Sequence, residues 1–159
     1  MQLPAKWSPH IAGVELVAPG REALLTDERG RSLYLLAADL EIIREAAGGK
    51  PIRITSGLRP VIGAGAGARS QHVEGQAVDI QIDGLTPLEL EALIYQQRAR
   101  LHVRQVIAET RAGVADLSKP MSKGGGRWVH VAILGPGFGV TSSAWLTSGD
   151  GSTYRRWSP

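Results

Sequence analysis

Cysteine is absent from this 159-residue chain, and its absence excludes three kinds of protein. Without thiols the chain can have no disulfide scaffold, no cysteine-ligated zinc finger and no thiol nucleophile. Aromatic residues make up only 5 % of the sequence, so the core has to consist mainly of Leu, Ile, Val and Ala side chains. No apolar run approaches the roughly 18 residues that a membrane span requires. We therefore expect no membrane-spanning segment.

Excess charge is also scarce, since Lys and Arg number 18 against 15 for Asp and Glu, a net charge of +3. This surplus is weak evidence for an anionic partner such as nucleic acid or bacterial wall polymer. Residues 1–19 lack the compact apolar segment of a signal peptide, so we expect synthesis in the cytoplasm. Hydrophobic residues at 43 % and charged residues at 21 % are typical of a globular protein. The length predicts one domain over residues 1–159, and we expect a monomer.

The spacing of apolar residues predicts two helices. The first covers residues 32–47 and ends at Gly48–Gly49, because glycine favours the C-terminal cap of a helix. The segment Thr86–Glu89 predicts the start of the second, with Thr as N-cap, Pro at the first position and Glu closing a capping box. This second helix is expected to end near Ala99. The residues predicted to be buried are Leu36, Leu40, Ile43 and Ala47 in the first helix, and Leu90, Leu93 and Ile94 in the second.

Four strands are predicted, over residues 52–55, 76–83, 103–109 and 128–134. In the second of these strands, alternation places Asp79 on the face opposite Val78 and Ile80. The Gly- and Ala-rich stretch Val61–Ala68 is predicted to be a loop. The tail from Thr141, with its basic and aromatic end Tyr154–Trp157, is expected to pack or fray. The order of these elements indicates an α+β fold with an antiparallel sheet.

Three side chains in this pattern form a candidate metal site. His72 and Asp79 lie seven residues apart, and Gly75 allows the chain to turn between them. His130 lies in a later predicted strand. Two imidazoles and one carboxylate form an ordinary zinc ligand set with an open fourth position, and zinc lowers the pKa of water toward ~7 and polarises a carbonyl. Spacing alone also allows a structural, hydrogen-bonded role for these histidines.

These residues resemble a known family, the M15 zinc peptidases, which cut peptidoglycan stem peptides as D-Ala-D-Ala carboxypeptidases, dipeptidases or phage endolysin peptidases. Thr55–Pro60 is similar to the family's Ser-Gly-x-Arg segment, and Gln105–Glu109 is similar to its Gln-Leu-Ile-x-Glu strand. The resemblance extends over about residues 36–134. Its central motif is Ser70-x-His72-x-x-Gly75-x-Ala77-x-Asp79, followed by Trp128-x-His130.

The resemblance implies a Hedgehog/DD-peptidase-like fold, a small antiparallel sheet flanked by helices. It also implies that Zn2+ is bound by His72, Asp79 and His130. Arg59 would hold the substrate carbonyl or carboxylate and stabilise the oxyanion, a role that suits its planar fork of donors. Ser70 would line the substrate site.

The general base departs from the family pattern. Many members have a glutamate three residues before the last histidine ligand, whereas this chain has Arg127, which cannot accept a proton. Glu109 is the predicted substitute, because it ends a neighbouring strand and matches the Gln-Leu-Ile-x-Glu pattern. Glu74 is closer to His72 in sequence, but the family varies at that position.

The function expected from these observations is zinc-dependent hydrolysis of peptidoglycan stem or cross-link peptides. The enzyme would be of the D-Ala-D-Ala carboxypeptidase type or the L-Ala-D-Glu or DD-endopeptidase type, and it would resemble a phage endolysin that reaches the bacterial cell wall after release. The alternative is a non-catalytic wall-binding or phage structural domain that retains the zinc site. A nucleic-acid-binding function has only the positive charge in its favour, so no nucleic-acid partner is expected.

Overall fold

The computed structural model describes residues 1–61, 70–111, 114, 116–133, 144–148 and 154–156. These residues form an α+β fold, as the order of the predicted elements indicated. The helices are α1 (Gly13–Leu16), α2 (Asp27–Ala46) and α3 (Pro87–Gln96), and short 3-10 turns cover Glu22–Leu24 and Arg98–Arg100. The strands are β1 (Lys6–Ser8), β2 (Ile11–Ala12), β3 (Arg53–Ser56), β4 (Ala77–Gln81), β5 (Val103–Thr110), β6 (Arg127–Ile133), β7 (Ala144–Ser148) and β8 (Tyr154–Arg156).

The main sheet has six strands in the order β3-β4-β6-β5-β7-β8, and β1 and β2 form a separate two-stranded sheet. The first four strands of this order pair antiparallel with one another. Strand β7 pairs with β5 in parallel and with β8 antiparallel. Strands β4 and β6 therefore have hydrogen-bonded neighbours on both sides, which fixes the position of the side chains that they carry.

The two faces of the sheet differ in composition. One face is apolar and packs with α2 and α3 into the core, where Val78, Ile80, Val129 and Val131 are completely buried. The opposite face carries polar side chains, because successive residues of a strand point to opposite sides. The register places Asp79 opposite His130 and Glu109 opposite Trp128 on this polar face. The polar face of the central strands is therefore the place where a functional site can form.

Both predicted helices are present, with shifted ends. Helix α2 begins five residues earlier than predicted, since the Thr26 side chain caps it by accepting a hydrogen bond from the Arg29 backbone N–H at 3.2 Å. A prediction based on the spacing of apolar residues cannot detect a first helical turn that consists of polar residues. The C-terminal cap is confirmed, because Gly48 and Gly49 have φ angles of +74° and +77°. Among the predicted core residues, Ala47 and Leu93 are only partly buried.

Helix α3 starts as predicted, with the capping box formed by Thr86 and Glu89 and with Pro87 in the first turn. It ends at Gln96, about three residues earlier than predicted, and a 3-10 turn follows. Within the described residues, none of the helices has the length and apolar character that crossing a lipid bilayer demands.

The tail differs most from the sequence prediction. Strands β7 and β8 extend the main sheet, whereas the Ser-, Thr- and Gly-rich composition of this region gave no strand signal. Strand β7 is held by parallel pairing with β5, a long-range contact that no local pattern reveals. Trp157 and Leu134, at the ends of predicted segments, lie outside the described residues, as does the predicted loop beyond Val61.

Candidate metal centre

The predicted ligands meet on the polar face of the sheet. His72 Nε2 lies 3.2 Å from Asp79 Oδ1, His130 Nδ1 lies 3.0 Å from the same oxygen, and the two nitrogens are 3.3 Å apart. The side chains are 2 %, 13 % and 12 % exposed for His72, Asp79 and His130. These three residues form a group that could hold a metal ion. The structure thus brings together the ligand set that the motif implied.

A tight turn aims His72 at Asp79. Backbone hydrogen bonds from Val73 to Ser70 and from Gln76 to Gln71 close the turn just before β4 begins. Gly75 has a φ angle of +66° within it, and a Cβ atom there would come within 3.1 Å of the Arg29 carbonyl oxygen on α2. A side chain at this position would be strained both by its backbone conformation and by the helix beside it.

The other ring nitrogen of His72 determines which nitrogen faces Asp79. His72 Nδ1 lies 3.0 Å from the carbonyl oxygen of Gly57, and a carbonyl only accepts hydrogen bonds, so Nδ1 carries the proton. In the neutral ring, Nε2 then presents its lone pair to the site. Gly57 itself has to be glycine, because a Cβ atom would collide with the carbonyl oxygen of Leu16.

Gln71 determines in the same way which ring nitrogen of His130 faces the site. Its Oε1 lies 3.2 Å from His130 Nε2, so Nε2 donates and Nδ1 presents its lone pair to Asp79 and His72. The sequence prediction gave Gln71 no role, although it lies inside the quoted motif. Only the fold shows this role, since Gln71 and His130 are 59 residues apart in the chain.

The site therefore contains three electron-pair donors that face one another at 3.0, 3.2 and 3.3 Å. Zinc bound tetrahedrally at about 2.0–2.1 Å holds its ligand atoms about 3.3–3.4 Å apart, so the observed spacing fits the ion. Burial raises the pKa of the Asp79 carboxyl, but the hydrogen bonds that His130 and His72 donate to it in their protonated form, together with the charges of those rings, outweigh burial and hold that pKa well below its usual value. Asp79 is thus ionised, which is the form that binds a cation.

Arg59 and Ser70 lie beside the turn that carries His72. The Arg59 backbone N–H donates to the His72 carbonyl at 3.2 Å, and Arg59 Nη2 lies 3.4 Å from Ser70 Oγ. Both side chains are partly exposed. The two residues that the resemblance assigned to the substrate are therefore neighbours at the N-terminal end of β4.

Glu109 lies on the same face of the sheet as His130, in the neighbouring strand. The register places it directly opposite Trp128, and Ile107 is the residue opposite His130. Glu109 is therefore the diagonal neighbour of His130. Diagonal neighbours on one face of a sheet are about 7–8 Å apart, a distance that long side chains can span. Trp128 Nε1 donates to Glu109 Oε2 at 2.7 Å, so the indole fixes one orientation of this carboxylate.

Glu74, the other candidate for the base, and Arg127, at the usual position of the base, both form contacts elsewhere. Glu74 is 46 % exposed and forms an ion pair with Arg29 of α2 at 3.8 Å. Arg127 donates from Nε to the Asp116 carbonyl at 2.6 Å and from Nη1 to the Gly125 carbonyl at 3.3 Å, so it holds the loop before β6. Glu109 therefore remains as the candidate base, because its carboxylate lies on the same face of the sheet as His130 and Asp79.

The family model for Peptidase M15 matches residues 16–106, more than half of the chain. The chain belongs to the peptidase M15 family. Membership supports a metallopeptidase-type enzyme that acts on peptides. The match includes Arg59, Ser70, His72 and Asp79 but ends before Glu109 and His130, whose positions come from the strand register. Comparison with curated proteins and with solved structures gives no match.

Proposed function

We propose that this M15 peptidase is a zinc enzyme that hydrolyses peptidoglycan stem or cross-link peptides. It would act as a single-domain monomer that is made in the cytoplasm and reaches the cell wall after release, in the manner of a phage endolysin. The observation that carries the proposal is the convergence of two imidazoles and one carboxylate at zinc-like spacing in a chain of this family.

His72, Asp79 and His130 would hold the ion. When bound, zinc would polarise the scissile carbonyl and lower the pKa of the attacking water. The hydrogen bonds from His72 to Gly57 and from His130 to Gln71 keep both rings in the ligating tautomer.

Glu109 is the proposed general base. Its carboxylate would take a proton from the attacking water and deliver that proton to the leaving amine. The hydrogen bond from Trp128 holds this carboxylate in place before the substrate arrives. Such preorganisation matters because a base has to lie within hydrogen-bond reach of the proton that it abstracts.

Arg59 and Ser70 would bind the substrate at the N-terminal end of β4. The guanidinium has a planar fork of donors that suits a carboxylate or a carbonyl oxygen that becomes negative in the transition state. Ser70 Oγ lies beside Arg59 Nη2, so both could contact one substrate oxygen atom.

Mass spectrometry of purified peptidoglycan after incubation with the zinc-loaded protein tests the proposed reaction. We expect soluble peptides with new termini that identify the cut bond, and no such products from the His130→Ala protein. A preparation with full zinc occupancy that cuts no peptide would contradict the proposal. If that preparation also sediments with the wall, the non-catalytic wall-binding function is favoured, and Arg127 at the usual position of the base is the observation in its favour.

A further inference from the structure

Residues 57–59, which follow β3, contact the candidate metal centre through two consecutive peptide groups. The first group contains the Gly57 carbonyl, which accepts a hydrogen bond from His72 Nδ1 at 3.0 Å. The second group contains the Arg59 backbone N–H, which donates to the His72 carbonyl at 3.2 Å. One polar atom of each peptide group is therefore bonded to a proposed zinc ligand.

The other polar atom of each peptide group is bonded to the N-terminal part of the chain. In the first group, the Leu58 backbone N–H donates to the Leu16 carbonyl at 2.8 Å. In the second group, the Leu58 carbonyl accepts from Arg21 Nη1 at 3.3 Å. The N–H and the carbonyl of a trans peptide group point in opposite directions. Leu16 and Arg21 thus hold this segment on the side that faces away from His72.

The hydrogen bond from Arg21 affects the direction of the Arg59 side chain. A peptide group is planar, and its plane contains the Cα atom of the following residue. Since the Leu58 carbonyl and the Arg59 N–H are both hydrogen-bonded, the plane has a fixed orientation, and the Arg59 side chain leaves the backbone in a fixed direction. Arg59 Nη2 then lies 3.4 Å from Ser70 Oγ, in the proposed substrate site.

The backbone of Arg21 is itself held by a turn. The Arg21 N–H donates to the Ala18 carbonyl at 3.0 Å, and the Arg21 carbonyl accepts from the Leu24 N–H at 3.0 Å. Of the four hydrogen bonds to residues 57–59 described above, that of Arg21 is the one supplied by a side chain that is not a proposed zinc ligand. Replacement of this side chain therefore tests the bond without removing a ligand.

We propose that Arg21 is a positioning residue, which orients Arg59 for substrate binding by holding the peptide group between Leu58 and Arg59. The inference rests on the proposed role of Arg59 in binding the peptide substrate. It extends the substrate site to a residue 37 positions before Leu58 in the chain. Arg21 contributes through Arg59 and does not itself contact the substrate.

A double-mutant cycle measures whether Arg21 acts through Arg59. In the zinc-loaded protein, Arg21→Leu should lower kcat/KM for a peptidoglycan stem peptide by roughly two- to tenfold, through a higher KM, because one hydrogen bond contributes about this factor. In the Arg59→Leu protein the same replacement should have no further effect. If the double variant instead shows the two losses multiplied, Arg21 acts independently of Arg59 and the proposal is overturned.

The zinc dissociation constant separates this role from a general loosening of the site. The Gly57 carbonyl, which orients His72, belongs to the peptide group that bonds to Leu16, so Arg21→Leu should bind zinc like the original protein in competition with a chelator. Arg98→Leu, which removes a hydrogen bond from an exposed arginine to the Tyr95 carbonyl, is the matched control and should leave KM unchanged. An equal rise of KM in both variants, or weaker zinc binding by Arg21→Leu, would contradict the proposal.

Hydrogen exchange at the Arg59 backbone N–H gives a readout that requires no substrate. Arg21→Leu should accelerate exchange at this amide by roughly two- to tenfold, whereas Arg98→Leu should leave it unchanged. Faster exchange in a zinc-loaded protein that cuts no peptide would contradict the peptidase function alone, because the position of Arg59 would still depend on Arg21. Equal exchange in Arg21→Leu and in the original protein would overturn the positioning role.

Discussion

The hydrogen bonds on the far side of His72 and His130 determine which ring nitrogen faces the metal site. A histidine ligand needs its proton on the nitrogen that points away from the metal. Gly57 supplies a backbone acceptor for His72, which no side-chain substitution removes. His130 depends on the side chain of Gln71, so this residue is the one that mutagenesis can test.

Replacement of Gln71 by Leu should weaken zinc binding by roughly 10- to 100-fold, since the loss of such a partner usually has this effect. Competition with a chromophoric chelator measures the dissociation constant without reference to activity. Gln96→Leu, at an exposed position of α3, is the matched control and should bind zinc like the original protein. An unchanged dissociation constant in Gln71→Leu would show that His130 keeps its tautomer by other means.

Replacement of Glu109 by Gln tests the proposed base. The amide keeps the shape and still accepts the hydrogen bond from Trp128, but it cannot take a proton. We expect kcat to fall by roughly 10²- to 10⁴-fold, the usual contribution of a general base, with zinc content and fold retained. Glu74→Gln should hydrolyse at nearly the original rate, because Glu74 pairs with Arg29. Normal turnover by the Glu109→Gln protein would make this assignment wrong.

At the scale of elements, Glu41 of α2 fastens the β1–β2 hairpin to the rest of the fold. Its Oε1 accepts from Ser8 Oγ at 2.6 Å and from the His10 backbone N–H at 2.8 Å, and its Oε2 lies 2.9 Å from His10 Nδ1. Burial raises the pKa of this carboxyl, but the hydrogen bonds from Ser8 and His10 outweigh burial and hold the pKa below its ordinary value of 4.5.

Replacement of Glu41 by Gln should therefore lower the free energy of unfolding by about 1–2 kcal/mol at pH 7. A carboxyl with a lowered pKa stabilises the fold above its ordinary pKa and loses this effect as the pH falls through the lowered value. The difference between the two proteins should accordingly shrink below pH 4.5. Urea unfolding at several pH values measures it. Glu45→Gln, which removes only an exposed ion pair with Arg100, should change stability by less than about 0.5 kcal/mol.

The elements that sequence reasoning found are those with a local signal. Helices α2 and α3 have apolar periodicity and recognisable caps, and the alternating strand β4 placed Asp79 correctly on the polar face. The short elements before α2 and the strands of the tail have no such signal. Contacts distant in the chain attach them to the fold: Glu41 holds the β1–β2 hairpin, and β7 pairs with β5. The same distinction applies at the site. The ligands have residue types that are typical of a metal site, whereas the role of Gln71 depends on the position at which β6 places His130.

At the scale of the whole molecule, zinc binding should be linked to stability. An ion that binds only the folded chain stabilises it by about 2.7 kcal/mol at a free concentration of 100 times its dissociation constant. Differential scanning calorimetry should therefore show a melting temperature that rises with zinc concentration. The His130→Ala protein should lose this rise, whereas His102→Ala, which breaks only a contact with Asp39, should keep it. An equal rise in both variants would place the ion elsewhere.

The pairing of β4 with β6 has a consequence for the timing of folding. Asp79 and His130 are 51 residues apart in the chain and become neighbours only when these two strands align. A slip of one residue would turn His130 toward the helices, so an incorrectly aligned chain lacks the third ligand. Long-range pairing of this kind is slow compared with the formation of helices. Uptake of zinc from a fluorescent indicator during refolding would thus mark the moment at which the central strands reach their final alignment.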